Sequence, residues 1–99
     1  MYYILDTEQN AIPVDITTWA RWMQSADRVI QSSYVGDVHI STVFLGLDHA
    51  SKRASDPILF ETMFFGGNHD QELFDRYSTY AEAENGHERA IKYLMGRNV

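Results

Sequence analysis

Ninety-nine residues carry eight Lys and Arg against fourteen Asp and Glu, a formal charge of −6, with 44% hydrophobic residues and no cysteine. That length suits one domain around one core, and the apolar content is enough to offset chain entropy. The missing cysteines exclude disulfides and thiolate chemistry, the acidic balance disfavours direct nucleic-acid binding, and the absence of a long apolar run predicts neither signal peptide nor membrane span. A soluble, cytoplasmic protein is expected.

In chain order, "YYILD" reads as a short strand and "TEQNAIPVD" as a connection, with Pro13 opposing helix in its neighbourhood. Asp15 is placed to cap a helix over 16–26, whose stripe is Ile16, Trp19, Ala20 and Met23. Trp22 falls off that stripe and is singled out as an exposed binding anchor. Strands follow at 28–34 and 38–47, joined through Gly36-Asp37, and a third at 58–65 ends at Gly66-Gly67. Residues 48–57 have loop composition, and "GGNHDQELFDRY" reads as a polar loop.

The last element is the best defined. Thr79 and Glu82 form a capping box, the stripe runs Tyr80, Ala83, His87, Ala90, Ile91 and Leu94, and Gly96 stands at the stop. His87 is thereby assigned to the buried face. The order β-α-β-β-β-α predicts an α+β two-layer sandwich with an antiparallel meander. Val38, Ile40 and Phe44 point one way along their strand and Val43, Leu45 and Leu47 the other, so two short helices leave one face to cover. A homo-oligomer would cover it.

Candidate chemistry is sparse. His39, His49, His69 and His87, with Asp48, Glu61 and Asp70, match no metal-ligand or acid–base spacing; a cross-strand contact is expected between His39 and Glu61, and a neutral core imidazole at His87. No glycine-framed nucleophile and no phosphate-cradling loop is present. No metal and no cofactor is predicted.

The segments "YYILD", "TWARWM", "ISTVFLGLDH", "PILFETMFFGG" and "RYSTYAEAENGHERA", in this order, resemble a family of small proteins encoded by bacteriophages and prophages. The resemblance covers most of the chain and implies action inside a bacterial host by binding a host or phage protein, with anti-defence proteins such as CRISPR inhibitors as one class. The residues expected to carry a protein contact are Trp22, Asp70, Glu72 and Asp75. The alternative is an oligomer that sequesters a small molecule or nucleotide signal near His49, Lys52 and Arg53. A small His/Asp metal enzyme built on Asp48, His49, Glu61 and His69 ranks third.

Overall fold

The computed structural model describes residues 1–50 and 56–96. Its elements are β1 (Tyr2–Leu5), β2 (Ala11–Val14), α1 (Ile16–Ser25), β3 (Val29–Val35), β4 (Val38–Phe44), β5 (Phe60–Phe65), a 3-10 turn (Gly67–His69), β6 (Glu72–Tyr77) and α2 (Tyr80–Met95). The fold is α+β: β1 and β2 form a hairpin, and β3-β4-β5-β6 form an antiparallel four-strand meander packed on α2. Among the described residues, no helix is long and apolar enough to cross a membrane.

Two strands go beyond the expected order. β2 contains Pro13, which a strand tolerates at an edge where its missing N–H breaks no ladder bond. β6 occupies the expected polar loop: Glu72, Asp75 and Arg76 make it look like a loop, and a bulge at Phe74, opposite the Thr62–Met63 step of β5, breaks the two-residue alternation. The meander therefore has four strands rather than three.

The turn between β3 and β4 consists of Gly36 and Asp37, with Val35 opposite Val38. Gly36 sits at φ +57°, a left-handed conformation that a hairpin of this length needs and glycine adopts freely.

Alternate residues of β4 are buried, namely Val38, Ile40, Thr42 and Phe44, and this face meets α2. The core divides into two apolar clusters. One holds Val38, Ile40, Phe64, Ala90 and Leu94; the other holds Phe44, Leu59, Phe60, Tyr77 and Ala83, against which Tyr3, Leu5, Trp22 and Ile30 also pack. The β1–β2 hairpin reaches the sheet through Tyr3 N–H donating to the Gly46 carbonyl, and α1 follows the hairpin. The contacts of α2 and the hairpin therefore lie on one face of the meander, and the opposite face has no covering element among the described residues.

Candidate functional site

Between the two apolar clusters lies a line of buried polar groups. His87 Nδ1 is 2.7 Å from Thr42 Oγ1 and its Nε2 is 2.9 Å from Ser33 Oγ. Thr42 Oγ1 is 2.5 Å from Thr62 Oγ1, which accepts from the Tyr77 hydroxyl at 3.0 Å. The assignment that lets Tyr77, Thr62 and Thr42 each donate along the line runs from Tyr77 to Thr62, to Thr42, to His87 Nδ1, with Ser33 accepting the Nε2 proton. Burial disfavours the imidazolium and lowers the His87 pKa, the neighbouring Glu88 opposing and His39 adding to that effect.

The sheet places these hydroxyls by register. Thr42 and Thr62 are direct partners across β4 and β5, and Tyr77 stands opposite Phe60. Gly86, one residue before His87, makes room: a Cβ there would come within 2.1–2.2 Å of Tyr77 Cε1, Cζ and Oη. A hydroxyl beside an imidazole is the arrangement of a nucleophile and its base. Here Thr42, Thr62 and His87 have 0% exposure, so no substrate reaches them, and the group is internal structure.

A second feature is open to solvent. A cleft of about 610 Å³ runs between the β1–β2 turn and the start of α2, walled by Tyr3, Tyr80, Leu59 and Pro57 and rimmed by Glu8 and Glu84. No Lys, Arg or His is among its described lining residues. The α2 N-terminus beside it is already satisfied, because Thr79 accepts from Glu82 N–H and Glu82 accepts from Thr79 N–H.

The singled-out residues are dispersed. Trp22 is half-buried with its ring edge-on to Phe44 at 5.6 Å, on the packed side of α1, whereas Ile16 of the expected stripe is 56% exposed. The stripe is thus rotated, since Trp19, Trp22 and Met23 bury more surface than Ile16 and Ala20 can. Asp70 accepts from Gly66 N–H in a turn, Glu72 pairs with His69 Nδ1 at 3.0 Å, and Asp75 pairs with Arg89 at 3.2 Å. His49 is exposed, and Lys52 and Arg53 lie outside the described residues.

His39 and Glu61 do not meet. His39 stands opposite Phe65 and Tyr34, and Glu61 stands opposite Val43 and pairs with Arg76 at 3.2 Å. Asp48 closes its loop by accepting from the N–H groups of Ala50 and Ile58, bonds that hold its carboxyl below the usual range. His69 rests edge-on against Phe64 and Tyr93. Among the described residues, no three or more His, Asp or Glu side chains come together as a metal site.

The cleft was not legible in the sequence. Its walls come from Tyr3, Pro57 and Tyr80, three positions that only the folded chain brings together. Comparison with family models, with curated proteins and with solved structures finds no significant match.

Proposed function

We propose that the protein acts without catalysis, as a phage-type accessory protein that binds another protein, and that a basic segment of that partner enters the cleft between the β1–β2 turn and the start of α2. The observation that carries this reading is the lining of the cleft. Tyr3 and Tyr80 line it together with the apolar Leu59 and Pro57, and the charged side chains of its lining are Glu8 and Glu84. An Arg or Lys side chain would lay its alkyl stem on the tyrosines and bring its charged head to the glutamates. The cleft's volume of about 610 Å³ falls in the range of roughly 300–1,000 Å³ typical of ligand pockets, room for a short segment's side chains. Inhibition of a bacterial defence protein is the class of action that the resemblance to phage proteins implies.

The test uses fluorescent peptides of matched length, one Arg-rich, one Lys-rich and one Glu-rich, titrated with the full chain by anisotropy. The Arg-rich and Lys-rich peptides are expected to bind at 50 mM salt and to weaken as salt rises, because exposed carboxylates are screened. The double variant Glu8→Lys, Glu84→Lys is expected to lose at least about tenfold in affinity, a difference of about 1.4 kcal/mol. Equal binding of the Glu-rich peptide, or no effect of the double variant, would overturn the reading.

A further inference from the structure

We infer that the uncovered face of the meander is the contact surface for a second copy of this chain, forming a two-fold dimer in which two sheets stack face to face. The face consists of three rows that run across the strands. Tyr34, His39 and Phe65 form the first, Ser32, Ser41, Met63 and Leu73 the second, and Val29, Val43, Glu61 and Arg76 the third. It is apolar for an outer surface: Tyr34 is 73% exposed, Val29 48%, Leu73 44% and Phe65 39%. The first row is already ordered, with Tyr34 stacked on His39 at 4.7 Å and His39 tied to Ser32 at 2.7 Å.

Charge favours a copy of the same chain as occupant. The molecule carries −6 overall, yet the fixed charges on this face are Glu61 and Arg76, which pair with each other at 3.2 Å. Two copies can therefore meet here without the like-charge repulsion that the rest of so acidic a surface would impose. The face likewise offers no net charge with which to select a basic or acidic partner.

Shape points the same way. A two-fold axis lying in the interface, across the strands, sets Tyr34 and His39 of one copy over Val29 and Val43 of the other, large on small, and lays Phe65 over the paired Glu61 and Arg76. The middle row then meets itself, with serine near serine and Met63 near Met63. Strands of six to seven residues in a four-strand sheet give a footprint of roughly 20 Å by 19 Å, taking about 3.3 Å per residue and about 4.8 Å between strands. Two such faces, with Tyr34 and Phe65 standing above them, remove on the order of 1,000 Å² of surface, the lower end for specific association. A weak, reversible dimer is expected from an interface of this size.

The test is sedimentation equilibrium of the full chain from 1 to 500 μM. The mass is expected to rise toward twice the 11.4 kDa of the chain, with little dependence on salt. Tyr34→Glu and Leu73→Glu, both at exposed positions, are expected to raise the Kd at least tenfold while circular dichroism stays unchanged. Ile16→Glu, equally exposed but on α1, is expected to leave it unaltered and so controls for added charge. A chain that remains monomeric at 500 μM, or a dimer that Tyr34→Glu and Leu73→Glu leave intact, overturns the inference; the first result would leave the face to a different partner. Peptide binding at the cleft is read separately and does not depend on this outcome.

Discussion

Replacing Gly86 with alanine separates two effects of opposite sign. In an isolated helix the change is stabilising by about 0.8–1 kcal/mol, since alanine is the better helix former. In this protein the new methyl group would occupy the space of the Tyr77 ring. That ring cannot swing aside freely, being 4% exposed and held by its hydroxyl to Thr62 at 3.0 Å. Overpacking of this kind costs about 1–3 kcal/mol, and displacing Tyr77 from Thr62 adds about 1 kcal/mol for the lost hydrogen bond. The net expectation is a loss of roughly 2 kcal/mol, a fall in Tm of about 8–16 °C for a domain of this size. Urea denaturation of the wild type, Gly86→Ala, Tyr77→Ala and the double variant measures it as a cycle. Without the Tyr77 ring the same glycine substitution is expected to be stabilising by a few tenths of a kcal/mol or more. A Gly86→Ala protein as stable as the wild type, or more stable, would refute the reasoning.

Two further outcomes follow from the buried line and from α2. Burial lowers the His87 pKa below its ordinary 6.5, so the unfolded chain binds the proton first; stability is full above pH 6.5 and declines as pH falls toward the folded value, which urea midpoints between pH 7.5 and 5 would show. His87→Gln removes that proton and is expected to flatten this part of the profile while lowering the midpoint at pH 7.5. Thr79→Ala removes the side chain that accepts from Glu82 N–H and is expected to cost about 1 kcal/mol, read as a lower urea midpoint with an unchanged slope.

The parts of the fold legible in the sequence were those with a local cause. The capping box at Thr79 and the helical spacing that buries His87 depend on neighbours within one or two turns, and both stand in the structure. So does the Gly36-Asp37 turn. The misreadings have non-local causes. "ELFDRY" has the charges of a loop and becomes β6 because Phe60 to Phe64 offer it a ladder. Glu61 meets Arg76 instead of His39 because register is set by pairing along the whole of β4 and β5, which two strand predictions do not fix. Trp22 turns inward because the hairpin and Phe44 present a surface for it, a fact absent from the helix's own spacing. The line from Tyr77 to Ser33 draws on five separate elements, and no motif in the chain announces it.

That line also works as an alignment key. Apolar clusters on either side of it would tolerate a helix lying one turn too far along the sheet, because Ala83, Ala90 and Leu94 are smooth, nonspecific contacts. A slip of four residues would instead bring Ala83 or Ile91 to the place of His87. Thr42 would then keep only Thr62 as partner and the half-buried Ser33 would lose its imidazole, a cost of roughly 1–3 kcal/mol. With a whole domain worth only about 5–15 kcal/mol, a penalty of this size weighs against the slipped packing. His87, with the neighbouring Gly86 that leaves room for the Tyr77 ring, thus tells α2 where along the sheet to stop.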